Sequence, residues 1–400
     1  MIEIPAIEGG KPIRNKLLIF GSPLIGEEEI REVVDTLKSG WISIGPKTKI
    51  FEKLFSEYIG SNYAVGVSSC TAGLHLCMIA AGIKKDDEVI TTPFTFAATA
   101  NVIEYQNARP VFIDIDKNTL NIDPNKIEPK ITPNTKAIIP VHIAGRPCKM
   151  DEILYIAQKY NLYVINDAAH AIETEFEGEK IGILGDASSY SFYATKNLTT
   201  GDGGMVTTNR EDWLKKLRML RLHGINKEPW TRFSKQDVLT YDVLFPGYKY
   251  NMTDLLASIG IHQLKRLEKN LILRKKYVQI YNEAFKDIYE ITIPNKNFEG
   301  KHARHLYQIL IDIEKLNINR DYFALALRKE NITTGHHYPS VHLFSYYNKK
   351  YGYKRGDFPN SEYISDRIIS LPLSPKLNEK DIYDVIEAVK KIVNYYKRKK

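Results

Sequence analysis

"YAVGVSSCTAGLHLCMIAAG", residues 63–82, changes period in its middle. "YAVGV" reads as a short apolar strand, and "SSCTAGLHLCMIAAG" reads as a helix opening on small and hydroxyl residues. The same alternation runs on downstream. "DEVITT", "RPVFIDI", "KAIIPVHI", "LYVIND", "ASSYSFY" and "GGMVTTN" read as strands, while "FTFAATANVIEYQ", "MDEILYIAQKYN" and "EDWLKKLRMLRLHG" read as helices. Strands alternating with helices predict an α/β fold, a mostly parallel sheet covered by helices on both faces. Ligands of such sheets bind outside the carboxyl ends of the strands, so the residues that follow each strand are where chemistry is sought.

Upstream, "GEEEIREVVDTLKSGW" places Ile30, Val33, Val34 and Leu37 on one helical stripe, with acids in the first turn and Gly40 past the end. Near residue 265 the texture changes. "LKRLEKNLILRKKYVQIYNEAF" predicts a long amphipathic connecting helix, followed by a strand, "RHLYQILIDI", and a closing helix, "DIYDVIEAVKKIVNYY". Residues 1–265, with the N-terminal segment, are therefore expected to form a large domain. Residues 266–400 are expected to form a smaller α+β domain.

The bulk figures narrow the class. With 43% hydrophobic and 26% charged residues in 400, the chain can build a large core and does not read as disordered. Its longest apolar runs, such as "LCMIAAGI" at 76–83, are too short to span a bilayer, and "MIEIPAIEGGKPIR" lacks the pattern of a signal peptide. A soluble cytoplasmic protein with no membrane association is expected. Cys70, Cys77 and Cys148 form no CxxC pair, which argues against a disulfide framework or a metal site. No nucleic-acid module is visible. The net charge of +8 suits an anionic small molecule, although the basic "YYKRKK" end reads better as a solvated tail closing a helix, where cations suit the dipole.

Three strand ends carry candidate chemistry. In "VSSCTAGLH" (67–75) the free N–H groups of a helix start could hold a phosphate, but a Ser cap alone gives the same pattern. In "VINDAAHAIET" (164–174) a strand runs into Asp167, whose carboxylate could hold a protonated ligand nitrogen or simply cap a helix. His170, three residues on, could be structural. In "SYSFYATKNLTTGDGGMVTTN" (189–209) Lys196 could lose its proton and attack a carbonyl, or it could be a surface lysine. Gly201, Gly203 and Gly204 allow positive φ or close backbone approach. A phosphate cradle, an acid for a ring nitrogen and an imine-forming lysine are together what pyridoxal phosphate requires.

The chain resembles the DegT/DnrJ/EryC1/StrS family of sugar aminotransferases, pyridoxal-phosphate enzymes of the aspartate-aminotransferase fold. The likeness runs through "GEEEIREVVDTLKSGWISIGP", "SSCTAGLHL", "DEVITTPFTFAATAN", "TKAIIPVHIAGRP", "NDAAHA", "SFYATKNLTTGDGGMV", "FPGYKYNMTD", "GHHYPSVH" and "SLPLSP". It implies a large domain built on a seven-stranded sheet. Lys196 matches the cofactor lysine, Asp167 the acid on the pyridine nitrogen and His170 the contact to the phenolic oxygen. Phe96 matches the aromatic that stacks on the ring. Ser191 and the backbone amides of Cys70 and Thr71 match the phosphate cradle. Asn251 matches a residue reaching the phosphate of a neighbouring subunit, so the resemblance implies a homodimer with its sites at the interface. Asp202 stands where the family usually has Glu, and Cys70 where Gly or Ala is common. Relatives with His in place of the lysine are dehydratases, and Lys196 favours transamination.

The resemblance further implies L-glutamate as amino donor and a nucleotide-linked keto sugar as acceptor, a 4-keto-6-deoxyhexose on UDP or dTDP, made into an amino sugar for polysaccharide or lipopolysaccharide. Trp41, Trp230, His337, Tyr338 and His342 are candidate acceptor contacts; the aromatics could equally be packing. Two other readings stand beside this one. The first is a 3-keto sugar or cyclitol aminotransferase with the same lysine chemistry. The second is a non-catalytic sensor that binds the cofactor.

Overall fold

The computed structural model describes residues 3–226, 240–294 and 300–398. Trp230 lies outside the described residues. The chain opens with α1 (Glu27–Lys38) and α2 (Pro46–Ile59), the latter started by a proline at its first position and ended by Gly60 at φ 81. The expected alternation follows: β1 (Tyr63–Val67), α3 (Cys70–Ala80), β2 (Glu88–Thr91), α4 (Ala97–Glu104), β3 (Arg109–Phe112), β4 (Thr135–Ile138), α5 (Met150–Tyr160) and β5 (Tyr163–Asp167). A small hairpin, β6 (Glu175–Phe176) and β7 (Glu179–Lys180), precedes β8 (Ala187–Ser191), β9 (Gly204–Thr208) and α6 (Glu211–Leu220).

Seven strands form one sheet in the order β1-β9-β8-β5-β4-β2-β3. Every pairing from β8 to β3 is parallel, and β9 runs antiparallel to both its neighbours. The fold is thus the expected α/β architecture with a mostly parallel sheet. Register aligns the strand ends that matter: Val67 and Ser191 both lie opposite Gly204, and Asp167 lies opposite Ser189. Both faces are covered. Phe51, Phe55 and Ile138 are buried on one side, Leu74, Leu76 and Leu217 on the other, each side chain stabilising by about 1.5–3 kcal/mol.

A second sheet joins β10 (Ile291–Thr292), β11 (Tyr307–Ile311) and β12 (Ile368–Leu371), all antiparallel. The helices Leu267–Phe285, Arg320–Lys329 and Glu379–Tyr396 pack on it around Tyr281, Ile309, Phe323 and Ile392. The N-terminal segment packs here too. Leu18 bridges Ile332, and the amides of Ala6 and Ile13 each donate to Glu330 at 2.8 Å.

One local expectation differs from the structure, and one helix packs against its pattern. The connecting helix starts at Leu267 rather than 264, because Arg266 leaves helical geometry (ψ 7) to pair with Glu29 and with the carbonyl of Leu24. In α1 the apolar stripe faces outward. Ile30, Val34 and Leu37 are exposed, while Glu29 is buried on Arg266, Gln263 and the Gly26 amide. Among the described residues, no helix is long and apolar enough to cross a membrane.

Candidate active site

A cavity of about 500 Å³ opens at the carboxyl edge of the large sheet. β1 ends beside it and hands over to α3 through Ser69, whose side chain accepts from the Ala72 amide at 3.0 Å. Capping turns the chain so that Cys70 and Thr71 line the cavity at the helix start, where free amides and the helix dipole favour an anion. Gly204 makes the cradle possible: a Cβ there would stand 2.5 Å from the Ser69 carbonyl carbon and 2.6 Å from the Cys70 nitrogen. Gly201 (φ 88) and Gly203 (φ 151) occupy the positive-φ region that the loop before β9 requires.

β5 delivers Asp167 to the same cavity. Its Oδ2 accepts from Thr99 Oγ1 at 2.7 Å and its Oδ1 from the Ala169 amide at 3.2 Å. Burial nonetheless raises its pKa, with Thr99, Ala169 and the Lys196 charge pulling the other way. Lys196, on the loop after β8, lines the cavity as well, half-buried, with no hydrogen bond or ion pair to its amine among the described residues. Burial lowers it to about 8, against the opposing pull of Cys70 and Asp167.

His170 and Tyr338 form a pair on the wall. The Ala144 amide donates to His170 Nδ1 at 3.2 Å. Burial holds the ring well below its ordinary pKa, so it is neutral and carries its proton on Nε2. That proton donates to Tyr338 Oη at 3.0 Å, which leaves the phenol hydrogen free for another acceptor. Phe96, exposed, stands 6.1 Å from the Tyr338 ring, and Ser191 and His337 complete the lining among the residues expected there.

Lys196, Asp167, His170, Ser191, Cys70, Thr71, Phe96, His337 and Tyr338 are therefore brought together. His342 is not. It is wholly buried, its Nε2 on Glu362 Oε1 at 3.1 Å and its ring 4.7 Å from Phe358, because the turn at 341–343 points it inward. Trp41 donates Nε1 to the Ile44 carbonyl at 2.8 Å, and Asn251 bridges Val67 and donates Nδ2 to the Met252 carbonyl at 3.0 Å. Neither lines the cavity. Sequence reasoning missed Thr99, which anchors Asp167, and Thr95, Tyr193 and Thr195 on the wall, where Asp202 also lies.

An unpartnered amine and a buried acid on one cavity, with an amide cradle that only glycine leaves room for, fit pyridoxal 5'-phosphate, whose aldehyde Lys196 could take, whose ring nitrogen Asp167 could hold and whose phosphate the helix start could hold. Fold and site define a pyridoxal-phosphate enzyme of fold type I. Residues 23–390 match the DegT/DnrJ/EryC1/StrS aminotransferase family. The chain is 49% identical over 381 residues to the spore coat polysaccharide biosynthesis protein SpsC of Bacillus subtilis, which covers 95% of this chain and 98% of that one. Among solved structures, the PMP form of the sugar aminotransferase Spr1654 of Streptococcus pneumoniae superposes with a TM-score of 0.87 at 33% identity, over 94% of this chain and 99% of that one. DesI, solved in the presence of its TDP-sugar product, superposes with a TM-score of 0.86 at 29% identity, over 96% and 95%. The chain belongs to the DegT/DnrJ/EryC1/StrS aminotransferase family and is a pyridoxal-phosphate-dependent sugar aminotransferase.

Proposed function

We propose that this chain moves an amino group from L-glutamate to a nucleotide-linked keto sugar, a 4-keto-6-deoxyhexose on UDP or dTDP, as a cytoplasmic homodimer. The observation that carries the reading is the Lys196 amine on the same cavity as the Asp167 carboxylate. Bound pyridoxal phosphate supplies the electron sink that stabilises a carbanion at the amine-bearing carbon. Lys196 Nζ takes the proton from that carbon and returns it on the far side of the transfer, and a pKa of about 8 keeps both protonation states populated near neutrality. Asp167, oriented by Thr99, holds a proton on the ring nitrogen. The amides of Cys70 and Thr71, with Ser191, hold the phosphate. Phe96 covers the ring, and His337 and Tyr338 meet the acceptor. The TDP-sugar product found with DesI supports a nucleotide-linked acceptor. The exposed stripe of Ile30, Val34 and Leu37 on α1 supports a second subunit, whose Asn251 would reach toward this cavity.

The test is amino transfer by the purified holoenzyme. L-glutamate with the 4-keto sugar nucleotide should give 2-oxoglutarate and an amino sugar nucleotide, and Lys196→Ala should give neither. Turnover only with a keto-inositol or a 3-keto sugar would move the acceptor to that class. A holoprotein that releases no keto acid from any amino acid would leave a sensor instead.

A further inference from the structure

The loop that carries Lys196 is closed at its base, and Leu198 beyond the lysine is buried in the core. Tyr193 bridges Gly201, and the Phe192 carbonyl accepts from the Thr200 amide at 3.0 Å and from Thr199 Oγ1 at 3.2 Å. These contacts tie the loop to itself. Among the described residues, Asn197 alone joins the tip by hydrogen bonds to the rest of the chain. Its Nδ2 donates to Glu173 at 2.9 and 3.2 Å and to the Ala303 carbonyl at 3.1 Å. Its Oδ1 accepts from His305 Nδ1 at 3.0 Å.

The anchors are rigid. Glu173 is wholly buried and pairs with Arg274, itself 1% exposed, whose Nε donates to the same Ala303 carbonyl at 3.3 Å. Arg274 Nη1 is buried with no partner among the described residues, and Arg274 lines a void of about 20 Å³ behind Thr195, Lys196 and Asn197, room for one water. His305 packs against His170 with ring centroids 4.4 Å apart and the planes tilted by 35°. Burial, helped by the Lys196 charge, holds both rings neutral. The network thus starts at the residue after the lysine and ends against the histidine that fixes Tyr338.

We propose that Asn197 is a positioning residue, which the buried Glu173–Arg274 pair clamps so that the preceding residue, Lys196, projects its amine into the cavity while His305 is kept in the tautomer that packs against His170. The proposal rests on Lys196 acting as set out above, and it deepens that reading. The titratable groups that feel the amine's charge are Asp167, Cys70, His170, His305 and His337. Releasing the tip lets water reach the amine and returns it toward an ordinary lysine.

The experiment uses Asn197→Ala, which leaves the Glu173–Arg274 pair intact, and Asn197→Ser, which keeps one donor should the first fail to fold. Melting and circular dichroism establish that each is folded. The Lys196 amine is then titrated by NMR in the cofactor-free full-length chain, so the readout stands apart from activity. The kinetics of the holoenzyme are measured beside it. The expected result is an amine that titrates at least one pH unit higher than in the parent, with kcat lowered tenfold or more and KM within twofold. A folded variant whose amine titrates with the parent and whose kcat stays within twofold overturns the proposal, while Lys196→Ala still tests the lysine's own role separately.

Discussion

Gly204→Ala should damage cofactor binding more than any other single methyl added to the described large sheet. The new Cβ would meet the Ser69 carbonyl carbon at 2.5 Å, the Cys70 nitrogen at 2.6 Å and the Tyr190 carbonyl oxygen at 2.7 Å. All three are backbone atoms, so no side chain can swing away. Relief requires β9 or the start of α3 to move by close to an ångström. Overpacking of this kind costs about 1–3 kcal/mol of stability. The displaced atoms include an amide of the phosphate cradle, and a lost hydrogen bond to a charged group costs about 1.5–3 kcal/mol, or about 10- to 100-fold in affinity. The assay is urea unfolding of the cofactor-free chain together with cofactor titration by fluorescence quenching. Gly201→Ala is the control: nothing lies within 4 Å of its Cβ, yet its φ is 88. It should lose about 1–2 kcal/mol from backbone strain and bind cofactor within twofold of the parent. A Gly204→Ala chain with the parent's stability and affinity would refute the reasoning.

Asp167→Asn should abolish turnover while leaving the cofactor-free chain as stable as the parent, or more so, at neutral pH. Burial raises the folded pKa of Asp167 above its unfolded value, so its ionisation penalty is absent in acid and grows as pH rises through the folded pKa; the advantage of the variant, read by urea unfolding, should vanish in acid. His342→Ala should cost about 1–3 kcal/mol by emptying a buried ring site and removing one hydrogen bond of Glu362, which keeps the Gly356 and Phe358 amides, yet leave KM for the sugar nucleotide within twofold in steady-state assays. Leu37→Glu, on the exposed stripe of α1, should shift sedimentation from dimer to monomer.

The sequence made the large sheet legible because its strands are short apolar runs punctuated by polar turns, and the period switch at residues 67–70 is abrupt. That Lys196, Asp167 and the Ser69–Thr71 turn share one cavity was legible for the same reason: each lies at or after a strand end, and a parallel sheet puts strand ends on one edge. What stayed hidden depends on distance along the chain. Thr99 reaches Asp167 across 68 residues and Glu173 reaches Arg274 across 101, and no local pattern marks either partner. His342 was misplaced because "GHHYPSVH" shows three histidines and no sign of which way each faces; a single turn at 341–343 buries the last one. In α1 an outward apolar stripe and a buried Glu29 invert the usual pattern, since Arg266, 237 residues away, supplies the counter-charge.

Borohydride reduction of the holoenzyme, followed by peptide mapping, asks which nitrogen holds the cofactor. The cofactor-derived mass should lie on the peptide carrying Lys196, and prior incubation with L-glutamate should prevent the labelling. A label on any other lysine would contradict the assignment of Lys196 as the amine that carries the transfer, and labelling of Lys196 that L-glutamate leaves unchanged would contradict L-glutamate as the donor.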